Sequence, residues 1–123
     1  MISLDTNVLS ARMRAVPEAP VVAWLDRQPA DSIWITSITL FEARLGLALL
    51  PGGRRRRTLE KAFGELLEED LENRVLDFDG AAAAEAASLA AARQKAGRPV
   101  DFRDTQIAGI ALDAGDLRYI VAT

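Results

Sequence analysis

The sequence contains neither cysteine nor histidine among its 123 residues. Without cysteine the chain can form no disulfide, no thiolate zinc site and no cysteine nucleophile. Without histidine it lacks the base of Ser-His-Asp and Cys-His catalysis and a ligand of nearly every zinc site. We therefore expect any enzymatic activity to depend on carboxylates, whose hard oxygens suit Mg²⁺ or Mn²⁺.

Long apolar runs are also missing, since none approaches the about 20 residues of a membrane-spanning helix. The opening residues, MISLDTNVLS, lack the basic start and long apolar core of a signal peptide. Half of the chain is hydrophobic, which is enough to bury the core of one globular domain. We expect a single cytoplasmic domain over residues 1–123, without membrane association.

Short apolar runs alternate with helical patterns, as is typical of a mainly parallel sheet with crossover helices. The predicted strands cover residues 2–5, 32–37, 74–79 and 118–123. The first predicted helix begins near Asn7, and the second covers 17–28, with Glu18 near its start. The remaining predicted helices cover 38–50, 54–71, 80–97 and 101–115. This order predicts an α/β fold.

Asp5 follows the first predicted strand, at the carboxyl end where open α/β sheets bind ligands. A second interpretation is that Asp5 only caps a helix that begins at Asn7. The residue type alone does not separate a ligand from a cap, so the other carboxylates of the chain decide the question.

Glu42 lies on an apolar stripe of its predicted helix, together with Leu45, Gly46 and Leu49. Arg44 is two positions away and points elsewhere, so no ion pair within the helix explains Glu42. A buried carboxylate needs a metal ion, a cation from another element, or solvent. Gly46 leaves space beside Glu42, at a cost of about 1 kcal/mol against alanine. A structural glutamate paired with an arginine from elsewhere remains the alternative.

Asp104 shows a similar pattern, because its helical neighbours Ile107 and Ala108 form an apolar face. The spacing of DFRD predicts Asp101 as the N-cap and places Asp104 in the first turn, at the positive end of the helix. Asp104 is thus either part of a capping arrangement or a candidate metal ligand.

Acidic residues outnumber basic ones by 18 to 15, and the net charge of −3 lacks the basic excess typical of nucleic-acid-binding domains. The one cluster is GRRRR at 53–57, while Arg12, Arg14 and Arg98 are candidates to line the approach to an acidic site. The arginine run is either a solvated helix start or a contact for phosphate. A nucleic-acid substrate would therefore be bound through a local surface.

Three stretches of the sequence resemble the PIN-domain ribonucleases, specifically the VapC and FitB-like toxins of bacterial toxin–antitoxin pairs. They are LDTNVLS at the start, ITSITLFEARLGLALLPGGRRR in the middle and GRPVDFRDTQIAGIAL near the end. Together they span nearly the whole chain, and the order of their acidic motifs is fairly specific to this family.

The resemblance implies a three-layer α/β/α sandwich in which Asp5, Glu42 and Asp104 converge at one sheet edge and hold Mg²⁺ or Mn²⁺. Thr6 would support these ligands or contact the substrate, and Asn7 would serve the helix start. The ion would polarise an RNA phosphodiester and activate water for in-line attack. The products would carry a 3′-hydroxyl and a 5′-phosphate.

The resemblance also implies partners, namely a second copy of the chain and a cognate antitoxin that inserts a basic side chain among the three carboxylates. Arginine suits this role because its guanidinium pairs bidentately with carboxylates. Family members usually continue past the last strand with a short segment that carries a further acidic or polar residue, whereas RYIVAT ends this sequence. We therefore expect the sequence to lack that segment.

Other functions keep the same fold class. One alternative is a catalytically idle PIN-like module that acts only through a protein partner. A phosphatase or receiver-like fold also places an aspartate after a strand, but the former favours Asp-x-Asp where this chain has Asp5 and Asn7. The latter needs its phosphoacceptor near mid-chain, so both fit less well than a nuclease.

Overall fold

The structure, a computed structural model, describes residues 1–13, 20–115 and 118–120. Its strands are β1 (Ile2–Leu4), β2 (Ile33–Thr36), β3 (Val75–Leu76) and β4 (Arg118–Ile120). Its helices are α1 (Thr6–Met13), α2 (Pro20–Asp26), α3 (Ser37–Ala48), α4 (Arg54–Glu65), α5 (Gly80–Lys95) and α6 (Phe102–Ala114). A 3-10 turn at Ala30–Ser32 precedes β2, and a π-helical turn at Leu66–Asp70 extends α4.

These elements confirm the predicted order, with strands shorter than predicted and α1 starting at Thr6, one residue earlier. The predicted start of the second helix, including Glu18, lies outside the described residues, as do residues 121–123 of the predicted last strand. None of the helices in the described ranges is long and apolar enough to cross a membrane.

The sheet has the strand order β3-β2-β1-β4, and every neighbouring pair is parallel. Ile2 pairs with Ile33 on one side and with Arg118 on the other. The chain thus moves outward from β1 to β3 and then crosses back to place β4 beside β1. In open α/β sheets, ligands bind at the carboxyl ends of the strands, at the point where the strand order reverses. Asp5 follows β1 at that point.

Apolar side chains from the strands and from the helices packed on the sheet form a hydrophobic core. It includes Ile2, Leu4, Val8, Leu9, Leu25, Ile33, Ile35, Phe63, Leu66, Leu67 and Leu71. Helix α1 contacts α2, α3 and α4, helix α5 packs mainly along α6, and α3 contacts α6 as well. The predicted α/β sandwich around a parallel sheet is confirmed.

The alanine-rich helix α5 lies very close to α6 at Gly109. A Cβ atom at Gly109 would lie 2.6 Å from the carbonyl oxygen of Ala82 and 2.7 Å from the Cβ of Ala86. Only glycine fits such a separation without a shift of backbone, because carbon atoms pack at about 3.5–4.0 Å. This contact fixes α6, and therefore Asp104, against the rest of the domain.

Arg74 ties the end of the π-helical turn to the turn before β2. Its guanidinium donates to the carbonyl oxygens of Ile33, Ala30 and Asp70 at 2.8, 2.5 and 3.1 Å, and its side chain is 13% exposed. Glu72 and Asn73, just before it, have φ angles of 47° and 57°. The arginine therefore stabilises a sharp turn that no pattern in the sequence predicted.

Candidate active site

Asp5 joins β1 to α1, and its backbone and side chain have separate tasks. Its carbonyl oxygen accepts the first helical hydrogen bond, from the Leu9 amide at 3.0 Å. Its Oδ2 accepts from the Asn7 amide at 3.4 Å, which is long for a hydrogen bond. The side chain is only 7% exposed, and its Oδ1 faces Arg103. The capping interpretation thus accounts for one carboxylate oxygen only.

Glu42 reaches the same edge of the sheet from α3. The helix begins at a cap made by Thr36, whose hydroxyl accepts from the Thr39 amide at 3.1 Å. The hydroxyl of Thr6 donates to Oε1 of Glu42 at 3.1 Å. Thr6 therefore orients Glu42, while its predicted contact with substrate stays a prediction.

Asp104 stands in the first turn of α6. Asp101 is the N-cap, as predicted, because its Oδ1 accepts from the Asp104 amide at 2.9 Å. The side chain of Asp104 is 66% exposed, so it is the most accessible of the three predicted carboxylates. The cap leaves this side chain available for other partners.

Arg103 connects all three carboxylates. Its Nη2 lies 3.0 Å from Oδ1 of Asp5, its Nε 2.5 Å from Oε2 of Glu42, and its Nη1 2.8 Å from Oδ1 of Asp104. The structure thus brings the predicted residues together around one cation. Glu42 is also paired with an arginine from another element, which was the alternative interpretation of this residue. The sequence had not indicated that this arginine is Arg103. The available signal was an arginine inside DFRD, beside a candidate ligand.

The oxygen donors suit a hard divalent cation, and the guanidinium among them demonstrates that the cluster attracts positive charge. Within the described part of the chain, however, no group of three His, Cys, Asp or Glu side chains lies close enough to hold a metal ion. Each carboxylate contacts a different nitrogen of a planar group, which holds the oxygens further apart than one ion would. The residues therefore fit a metal only after Arg103 moves.

A cavity of about 540 Å³ between α5 and α6 is lined by Asp104, and two other cavities flank the cluster. The larger, about 990 Å³, is lined by the acidic residues and Arg103 and by apolar side chains that include Leu89, Ile107 and Leu112. The smaller, about 200 Å³, lies along α1, α3 and α4, and its lining includes Glu42, Gly46 and Arg55. A Cβ at Gly46 would meet nothing within 4 Å, so the predicted space beside Glu42 is present.

The predicted basic residues differ in their surroundings. Arg56 pairs with Glu60 at 2.5 Å on the surface of α4, whereas Arg55 lines the smaller cavity. Arg98 is exposed, Arg14 lies outside the described residues, and the side chain of Arg12 is likewise not described. Arg55 therefore lines the same cavity as Glu42.

A family model described as PIN domain matches residues 2–117 of this chain. The chain belongs to the PIN-domain family. Among PIN-domain relatives, the VapC ribonuclease Y4jK of Sinorhizobium fredii is 39% identical over 124 residues, which cover 100% of this chain and 86% of that protein. The toxin FitB of Neisseria gonorrhoeae is 35% identical over 111 residues, 90% of this chain and 80% of that protein.

A solved structure supports the resemblance to FitB. The crystal structure of FitAcB from Neisseria gonorrhoeae superposes with a TM-score of 0.80 and 33% identity, over 100% of this chain and 88% of that one. The resemblance to VapC and FitB-like proteins is therefore confirmed for the whole chain, while the roles of the individual site residues stay predictions.

Proposed function

We propose that this PIN domain is a metal-dependent endoribonuclease and acts as the toxin of a toxin–antitoxin pair in the cytoplasm. The observation that carries the proposal is the convergence of Asp5, Glu42 and Asp104 on one cation at the carboxyl edge of the sheet. The relatives named as a VapC ribonuclease and as toxin FitB support the activity and the biological role.

In this proposal Asp5 and Asp104 hold Mg²⁺ or Mn²⁺, and Glu42 either coordinates the ion or holds its water. When bound, the ion supplies Lewis acidity toward a phosphodiester and a more acidic water for its hydrolysis, which leaves a 3′-hydroxyl and a 5′-phosphate. A cation is required here because three carboxylates repel the phosphates of RNA.

The burial and contacts of the site residues suggest a separate role for each of them. Asp5 is buried at the end of β1, so its position is rigid, and Thr6 orients Glu42 through its hydroxyl. Asp104 is exposed and adjustable, at the mouth of the larger cavity. Substrate enters that cavity, with Thr6 as a further contact, while Arg55 lines the smaller cavity on the other side of Glu42.

For the partner, we propose an antitoxin that inserts a basic side chain among the carboxylates. Arg103 supports this, because its contacts demonstrate that a guanidinium fits the cluster and pairs with all three acids. A toxin–antitoxin pair is also consistent with the similarity to FitAcB. Formation of a homodimer is proposed from the family resemblance alone.

A second candidate function follows from the same arginine. If Arg103 is a permanent structural partner of the three carboxylates, the domain is a catalytically idle module that acts only by binding a protein. The two candidates differ in one respect that is directly measurable, since only the nuclease needs a metal ion in the cluster.

RNA cleavage by the purified chain distinguishes the two candidates. We expect cleavage of a structured RNA with Mg²⁺ or Mn²⁺, none with EDTA, and none by Asp5→Asn in either metal. The matched control is Asp113→Asn, an exposed aspartate of α6 that should leave cleavage unchanged. Folded protein that leaves RNA intact in the presence of either metal would favour the idle module.

A further inference from the structure

Arg103 occupies the place where the proposed ion must bind, and it comes from the same chain. We propose that Arg103 is an internal counter-cation that competes with the metal, so that the ion enters the cluster only when the arginine side chain leaves. This inference rests on the proposed function and adds to it a control of metal loading by a residue of the chain itself.

The geometry makes the two cations mutually exclusive. The guanidinium contacts one oxygen of each of the three carboxylates, at 3.0 Å for Asp5, 2.5 Å for Glu42 and 2.8 Å for Asp104. An ion held by the same oxygens at about 2.0–2.6 Å would lie on the guanidinium. The carboxylates must also close inward, because in the described residues they form no group able to hold a metal as they stand.

Charge explains why the arginine stays when no metal is present. Three carboxylates meet here, one of them on the 7% exposed side chain of Asp5, and like charges at close range repel. Arg103 neutralises part of that charge with one charge-assisted bond to each acid. A divalent ion neutralises more, and this difference is what favours the exchange.

The side chain also has a route out. Arg103 sits in the first turn of α6, its side chain is 34% exposed, and it lines the cavity of about 990 Å³. A rotation about its side-chain bonds can therefore move the guanidinium into that cavity while the backbone of α6 stays in place. Asp104, 66% exposed, can follow the ion in the opposite direction.

Competition of this kind weakens the apparent metal affinity, because only the fraction of protein in which Arg103 has left the cluster can bind the ion. If Arg103 occupies the cluster about 90% of the time, only about a tenth of the protein is competent, and its removal tightens binding about tenfold. The same removal should lower the melting temperature without metal, because the carboxylates then lack their counter-cation.

The test is calorimetric titration of Mn²⁺ into the wild type, Arg103→Met and Arg27→Met, with melting temperatures measured in EDTA and in excess Mn²⁺. Methionine keeps an unbranched stem and removes the charge, and Arg27 is an exposed arginine at the end of α2. We expect Arg103→Met to bind Mn²⁺ about tenfold more tightly, to melt lower in EDTA and to recover in Mn²⁺. Arg27→Met should match the wild type.

Equal or weaker Mn²⁺ binding by Arg103→Met would overturn the proposal, while cleavage of RNA by the wild type would leave the proposed function standing. Absence of Mn²⁺ binding in both proteins would reject the metal site itself, and with it the competition. If Arg103→Met does not fold, Arg103→Lys replaces it, because an ammonium cannot bridge three carboxylates as a planar guanidinium does. Tighter binding by Arg103→Lys is then expected, and unchanged binding would overturn the proposal.

Discussion

The contact between α5 and α6 yields a sharp prediction at Gly109. In Gly109→Ala the new methyl group would lie 2.6 Å from the carbonyl oxygen of Ala82, and 2.7 and 2.9 Å from the Cβ and the amide nitrogen of Ala86. Normal carbon contacts are about 3.5–4.0 Å, so the two helices must separate by roughly 1 Å at this point. Ala82 and Ala86 are buried on α5, and neither a backbone oxygen nor a Cβ can rotate away.

Overpacking costs about 1–3 kcal/mol, and we take the upper part of that range, about 2–3 kcal/mol, because the clashing atoms are backbone and Cβ atoms. The better helix propensity of alanine returns about 1 kcal/mol. We therefore expect the free energy of unfolding to fall by about 1–2 kcal/mol, measured by urea denaturation. The melting temperature should drop by roughly 3–10 °C, given the usual scaling for domains of this size.

The control for this prediction is Gly64→Ala, in α4. A Cβ at Gly64 would meet nothing within 4 Å, so only the propensity gain of up to about 1 kcal/mol remains. The two substitutions should thus shift stability in opposite directions. If Gly109→Ala is as stable as the wild type, α5 and α6 do not pack this closely. The contact at Gly109 would then not fix α6, the helix that carries Arg103 and Asp104.

Two further predictions concern other contacts. Arg74→Met should lower the free energy of unfolding by about 2–3 kcal/mol, because three carbonyl oxygens lose a charged donor. Urea denaturation measures this loss, and a negligible change in the free energy of unfolding would contradict the prediction. Thr6→Val should lower the free energy of unfolding by no more than about 1 kcal/mol and slow RNA cleavage about fivefold, since Glu42 loses a hydrogen bond of about that worth. Thr6→Ser should restore the rate, and equal rates in Thr6→Val would exclude an orienting role.

Much of the fold and part of the site follow from local patterns in the sequence. Alternating apolar runs and helical stretches predict the parallel sheet, and the strand before Asp5 predicts its place at the ligand-binding edge. Asp101 is recognisable as a cap because N-caps depend on residues close in sequence. These features are local, so a single sequence contains them.

The full roles of Arg103 and Gly109 could not be predicted, because they depend on distant parts of the chain. Arg103 precedes Asp104 directly, yet it also pairs with Glu42, 61 positions away, and with Asp5, 98 positions away. The tight fit at Gly109 appears only once α5 lies against α6. Composition shows an alanine-rich helix, but it does not show which neighbour that helix approaches.

We propose above that Asp5 and Asp104 form the metal site of this PIN domain together with Glu42. Calorimetric titration of Mn²⁺ into the wild type and the double variant Asp5→Asn, Asp104→Asn tests it most directly, because the amides keep the shape of the side chains and remove their charge. We expect a single Mn²⁺ site in the wild type and in the Asp113→Asn control, and no measurable binding in the folded double variant. Equal Mn²⁺ affinity in the wild type and the double variant would contradict it.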